Sequence, residues 1–347
     1  MDDFGSGDLS CTGPAEYPYD WRPVGYGSNM NYLLLAWTHA ILVKGSNDLS
    51  VIANTEYLFA RTTCDTASNG IETRGGWPCI FAEMPHICAF DSNQDWVSYN
   101  QKRGLSLDEQ RDANDRKGIA FLYGQREALY TSLGGAGADM MDVLAKLYDY
   151  LHSHLQPWFT SDVRAILDEP DIAAVREGNY VGMHIRRGDK KFETKITKTE
   201  KYFENVVQYL SSSLSELNAT DISGIWLSTD SEVVFDEVKT LAPDYFPNIK
   251  PEVVVWVTGR VPVKHVPPRK EYQPESTSSR NTYEALVLLR AEMLMLAEAD
   301  IFSGTFSSHL GRVVALMRHT LDKPKESALS ADEPTRWRPG RKHLLLR

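Results

Sequence analysis

The sequence predicts an α/β protein whose C-terminal half is built on a parallel sheet. Three observations carry this. Short apolar runs of strand length alternate with helical patterns after residue 172, an order that brings strands side by side through right-handed crossovers. The chain has 347 residues, more than one small core needs and enough for two. With 42% hydrophobic and 24% charged residues, it has the composition of an ordinary globular protein rather than a disordered or fibrous one.

Taken in order, residues 1–24 form a polar lead-in, 25–172 a first α/β domain, 173–320 a second, Rossmann-like one, and 321–347 a tail that crosses back to the first domain. The first domain opens on a glycine turn, Gly25-Tyr26-Gly27, followed by an apolar helix from Met30 to Val43 and a short strand from Leu49 to Ala53. Residues 62–85, rich in Gly, Thr, Cys and Pro, read as long loops of the kind that carry function. Helices are predicted over Asp108 to Gly124 and Ala138 to Trp158, the second with Met141, Leu144, Leu147, Leu151 and Leu155 on one buried face. In the second domain the expected strands are Tyr180 to Ile185, Gly224 to Ser228, Glu252 to Val257 and Asp300 to Ser303. Between and after them come helices over Thr199 to Leu217, Glu232 to Leu241, Asn281 to Ala299 and Ser308 to Met317. Ligands are expected at the carboxyl ends of the strands.

The formal net charge of -10 argues against general nucleic-acid binding, which needs a basic face, while leaving room for a local basic pocket. The apolar run from Tyr32 to Val43 is too short and too interrupted to span a bilayer, and the Met-Asp-Asp start is unlike a signal peptide. Cys11, Cys64, Cys79 and Cys88 show no CxxC spacing, so a structural zinc site is not expected; disulfides in an oxidising lumen and free thiols both fit. Asn218-Ala219-Thr220 is a glycosylation sequon.

Three strand ends carry chemistry. His184-Ile185-Arg186-Arg187-Gly188-Asp189-Lys190 follows the strand ending at Ile185, and arginine forks suit the oxygens of a leaving diphosphate, with Asp189 able to lock one of them. A solvated charged turn is the plain alternative. Trp226-Leu227-Ser228-Thr229-Asp230-Ser231 offers a carboxylate for a ribose hydroxyl, a guanine N–H or the arginines, against simple helix capping. Thr305-Phe306-Ser307-Ser308-His309 opens a helix after Gly304, which lets the chain turn, and combines hydroxyls with helix N-terminal amides into a phosphate cradle. Gly25 and Gly27 could approach a pyrophosphate closely, though turn formation alone explains them. Glu193 is the candidate base for an attacking hydroxyl. A structural role is the expectation for the His184 and His309 rings.

These blocks, HIRRGDK at 184–190, WLSTDS at 226–231, ADIFSGTFSSHLGR at 299–312 and GYGSNMNYLLLAW at 25–37, resemble the α1,6-type fucosyltransferases, the group holding the core N-glycan and nodulation-factor enzymes. The resemblance implies a GT-B-like fold of two facing α/β domains and inverting transfer of fucose from GDP-fucose to a glycan acceptor. It implies neither metal nor cofactor, and a place in the Golgi lumen or secretory pathway. By position, Arg186 and Arg187 bind the diphosphate, Lys190 lies near the phosphates or acceptor, Asp230 and Glu292 lie at the nucleoside, and Thr305, Ser307, Ser308 and His309 line the phosphate side. The sequence departs from the family at Ser231, where a second aspartate is frequent, at His309 in place of glutamine, and at Glu292 in place of aspartate. The candidate base, Glu193, stands one residue nearer to Lys190 than in the family. No room is left for a coiled-coil stem or SH3-like domain, so a bare catalytic unit is expected. A protein O-fucosyltransferase-like enzyme and an inactive GDP-sugar or glycan-binding protein remain the rivals.

Overall fold

The structure is a computed structural model that describes residues 17–18, 30, 34, 51–54, 87–90, 140–187, 196–249, 254–255 and 283–332. The chain divides into two compact units, residues 1–159 with 281–283, and residues 160–280 with 284–347. In the first, strands β1 (Tyr17–Pro18), β2 (Val51–Asn54) and β3 (Ile87–Phe90) pair in parallel in that order. Helix α1 (Met140–Ser153) buries Leu144, Tyr148 and Leu151, the spacing of one helical face. The single helix expected from Ala138 to Trp158 is in fact two. Pro157 cannot donate to a continuing ladder, and it opens α2 (Pro157–Leu167) at the first helical position, where a missing N–H costs nothing. A further short helix, α3 (Pro170–Arg176), belongs to the second unit, begins the same way and buries Ile172 and Val175.

The second unit holds a five-stranded, wholly parallel sheet, confirming the α/β class. Its strands are β4 (Tyr180–Ile185), β5 (Gly224–Thr229), β6 (Val254–Val255), β7 (Ile301–Gly304) and β8 (Ala328–Ser330), in the spatial order β6-β5-β4-β7-β8. The helices are α4 (Thr199–Leu210), α5 (Glu232–Tyr245), α6 (Tyr283–Glu298) and α7 (His309–Thr320). Every residue of β4, β5 and β7 is buried, as expected of a sheet covered on both faces. Val181, Met183, Ile185, Ile225, Leu227 and Ile301 share one core with Tyr202, Phe203 and Val206 of α4 and Val234 and Val238 of α5. The alternate residues meet α6: the Tyr180 hydroxyl donates to Met295 O (2.8 Å) and Ser228 Oγ to Glu292 Oε2 (3.0 Å). Helix α6 is buried nearly all round, through Ala291, Met293, Met295, Leu296 and Ala297, which accounts for apolar residues on every side of it between the few charged ones.

Several boundaries move for local reasons. Helix α4 stops at Leu210 rather than Leu217, because Ser212 Oγ takes the Tyr209 carbonyl (2.6 Å) and competes with helix continuation. Helix α5 runs on to Tyr245 with Pro243 in its last turn. The segment expected as a tail instead supplies β8, an edge strand of three half-buried residues, too short to show a period in sequence. Of the strand expected over Glu252 to Val257, Val254 and Val255 are described and form β6. Arg318, 1% exposed, closes the end of α6 by donating to the carbonyls of Ala297 (3.1 Å), Ala299 (2.5 Å) and Asp300 (3.1 Å). Burial brings its guanidinium down to about 10, against the pull of Tyr180 and Asp300.

Candidate active site

The chain lays β5 and β6 to one side of β4, then returns to lay β7 and β8 on the other. The strand order therefore reverses between β4 and β7, and the crevice outside their carboxyl ends is where an open parallel sheet binds ligands. Arg186 and Arg187 leave β4 at this point, the turn Thr305–Ser308 leaves β7, and Asp230 leaves β5 beside them.

One carboxylate serves both arginines. The Arg187 amide donates to Asp230 Oδ1 at 2.8 Å, and Arg186 Nε lies 3.9 Å from Asp230 Oδ2. The side chains of Arg186 and Asp230 are 34% and 31% exposed, so this pair stays open to solvent and to an anion. The guanidinium of Arg187 is committed elsewhere. It donates from Nη1 to Glu237 Oε1 of α5 (2.8 Å) and from Nη2 to Thr199 Oγ1 of α4 (2.6 Å), while the Thr199 hydroxyl itself donates to Glu237 Oε2. Burial works against a charged Glu237, but the bonds from Thr199 and Arg187 and the guanidinium charge outweigh it and hold the carboxyl below its usual range. The two arginines thus divide the work: Arg187 ties the end of β4 to both helices of one layer, and Arg186 carries the accessible charge.

The β7 side is fixed by a chain of hydrogen bonds. The Thr305 amide and hydroxyl both donate to His184 O (3.0 and 3.2 Å). With its proton so placed, Thr305 Oγ1 accepts from the Tyr202 hydroxyl (2.6 Å) and from the Arg186 amide (3.4 Å). Burial pushes the Tyr202 phenol up to about 12, against the Thr305 bond, so it remains a donor. The amides of Phe306 and Ser307 donate to Asp332 Oδ1 and Oδ2 (2.8 and 3.0 Å), and Ser330 Oγ to Asp332 Oδ1 (3.2 Å). Burial opposes the charge on Asp332, but hydrogen bonding from the Ser307 side chain and amide, the Phe306 amide and Ser330 prevails and keeps its carboxyl below the usual range. Ser308, 5% exposed, caps the start of α7 through its backbone without a side-chain bond. His309 is the first residue of α7.

Two glycines permit this closeness. A Cβ on Gly311 would stand 2.5 Å from Thr305 O and 3.5 Å from His184 Nδ1, so only glycine lets α7 press its first turn against the end of β7. Gly304 answers to a ring rather than to a turn: its Cβ would lie 2.5 Å from Phe302 Cζ.

The sequence-derived residues Arg186, Arg187, Asp230, Thr305, Ser307 and Ser308 come together at the switch point. Glu292 does not line the opening. It is 1% exposed in the layer between β5 and α6, accepting from Ser228. Gly25, Gly27, Asp189, Lys190 and Glu193 lie outside the described residues. Sequence reasoning missed Thr199, Tyr202, Glu237 and Asp332. Their roles arise from pairings across 12, 103, 50 and 26 residues respectively, which no local spacing encodes. Among the described residues, no group of His, Cys, Asp and Glu is arranged to hold a metal ion, and no helix is long and apolar enough to cross a membrane.

No family model matches the chain, and no curated protein matches its sequence. Among solved structures, it is similar to NodZ α-1,6-fucosyltransferase soaked with GDP-fucose, at 15% identity and a TM-score of 0.45, covering 85% of this chain and 90% of that one. Fucosyltransferase NodZ from Bradyrhizobium, in selenomethionine form, matches over the same shares at 15% identity and a TM-score of 0.47. A mutant of Arabidopsis thaliana FUT1 in complex with GDP matches at 11% identity and a TM-score of 0.45, covering 85% of this chain and 66% of that one.

Proposed function

We propose that this chain is a glycosyltransferase of the fucosyltransferase kind, taking GDP-fucose as donor and a sugar hydroxyl as acceptor. The observation that carries the reading is the placement of an accessible arginine, Arg186, and the hydroxyl-rich turn Thr305–Ser308 on the two strands that flank the switch point, with Asp230 on the next strand end. Such a site suits a nucleoside diphosphate: a guanidinium holds the phosphate oxygens, and a helix start lies beside them. The motif resemblance supplies the choice of guanine and fucose.

In this reading the acceptor oxygen attacks the anomeric carbon from the face opposite GDP, and the configuration inverts. The bond from that carbon to the β-phosphate oxygen breaks, and its electron pair leaves with GDP. The acceptor proton passes to a carboxylate, for which Glu193 is the candidate, while Lys190 stands near the phosphates or acceptor and Asp189 locks one of the guanidinium groups. Arg186 neutralises the charge growing on the leaving group, a stabilisation that needs no metal. Transfer of the α1,6 type, to glycans of the secretory pathway, is the finer form of the proposal. The test is incubation with isotopically labelled GDP-fucose and a panel of oligosaccharides and folded small domains. Labelled oligosaccharide with release of GDP supports the reading. Label on the serine or threonine of a folded domain moves the acceptor class to protein, and no transfer to any acceptor contradicts an enzyme.

A further inference from the structure

We infer that Asp332, at the end of the edge strand β8, is the positioning residue that sets the turn Thr305–Ser308 for a diphosphate. This rests on the donor reading above and adds a residue to it. All four amides of the turn are used within the protein: Thr305 on His184 O, Phe306 and Ser307 on the two Asp332 oxygens, and Ser308 on Thr305 O. The turn's own amides therefore do not meet an anion; they hold the turn, and with it the start of α7, at the end of β7. Two of the four depend on one carboxylate, which ties the middle of the turn to the segment that follows β8. Ser330 fixes that carboxylate in turn, at 3.2 Å. Because β8 pairs with β7 in register, Ser303 to Leu329 and Gly304 to Ser330, the sheet edge carries Asp332 to the turn as a rigid support.

Removal of the carboxylate frees the middle of the turn and loosens the phosphate contacts, while the nucleoside side of the site, on β5, keeps its geometry. Asparagine retains one acceptor oxygen and alanine none, so the effect is graded. The experiment measures GDP by calorimetry and guanosine by saturation-transfer NMR on the wild-type chain, Asp332→Asn and Asp332→Ala, with melting temperature as the fold control. The GDP dissociation constant is expected to rise about tenfold or more in Asp332→Ala and by less in Asp332→Asn, with guanosine unchanged within about twofold. Unchanged GDP affinity overturns the inference, as does an equal weakening of GDP and guanosine, which marks a merely structural residue. Should Asp332→Ala not fold, Asp332→Asn gives the same comparison. A wild-type chain that does not bind GDP overturns the donor reading and this inference with it.

Discussion

Arg187 and Glu237 meet at 2.8 Å across fifty residues of sequence, and this pair separates the two adjacent arginines into different roles. The side chain of Arg187 is 20% exposed and that of Glu237 36%, so the contact lies between a surface bridge and a buried one. A double-mutant cycle of Arg187→Ala and Glu237→Gln in urea is expected to give a coupling of about 1 kcal/mol, discounted for solvent screening at Glu237. Arg187→Lys does not restore it, because one ammonium cannot reach Glu237 and Thr199 with a planar fork. Additive single mutants would show that Arg187 and Glu237 do not act as a clamp.

Arg186 behaves differently. Its contact with Asp230 is 3.9 Å and one third exposed, so Arg186→Ala is expected to leave the melting temperature nearly unchanged. If the guanidinium meets the leaving diphosphate, the same substitution lowers transfer by about 3–4 kcal/mol of transition-state stabilisation. Steady-state kinetics beside thermal melts distinguish the two arginines: loss of activity alone for Arg186, loss of both for Arg187.

The acid side of stability follows from Glu237 and Asp332, both held below the usual carboxylate range. A carboxyl depressed in the folded chain stabilises it at any pH above the unfolded value, and that contribution drains away as pH falls through the folded value. The wild-type protein should therefore lose stability below the ordinary carboxylate range. Glu237→Gln, less stable at neutral pH, should show a shallower decline there. Urea midpoints measured from neutral pH downward test this, and parallel curves for the two proteins would contradict it.

Gly311 tests the packing of α7 against the switch point. A Cβ placed 2.5 Å from Thr305 O must move backbone, since a carbonyl in a stapled turn has no rotamer to yield. Gly311→Ala is expected to cost about 1–3 kcal/mol and to weaken phosphate binding by displacing the start of α7. A stabilised variant, as for an ordinary helix glycine, would show that the contact is not made.

Much of the second unit was legible because its strands are buried on both faces. Tyr180 to Ile185 and Gly224 to Ser228 are short apolar runs that end in polar groups, and each end is a place where the buried layer stops. That pattern places Arg186, Asp230 and Thr305 at strand ends from the sequence alone. Which arginine is engaged inside the protein was not legible, since it depends on Glu237 and Thr199 arriving from two other helices. Asp332 was hidden for a similar reason: the three residues of β8 that deliver it are half-buried and carry no period. Glu292 misled because a buried carboxylate and a ligand-facing one look alike in a helix. Its burial and its bond to Ser228 beneath the strand end tell them apart.

Calorimetric titration with GDP is the first test of the proposed guanosine diphosphate site at the β4–β7 switch point. One GDP bound per chain is expected, with little affinity for UDP, no change on adding EDTA, and loss of binding in Arg186→Ala with the fold retained. No heat of binding at millimolar GDP, or equal binding of UDP, would contradict it.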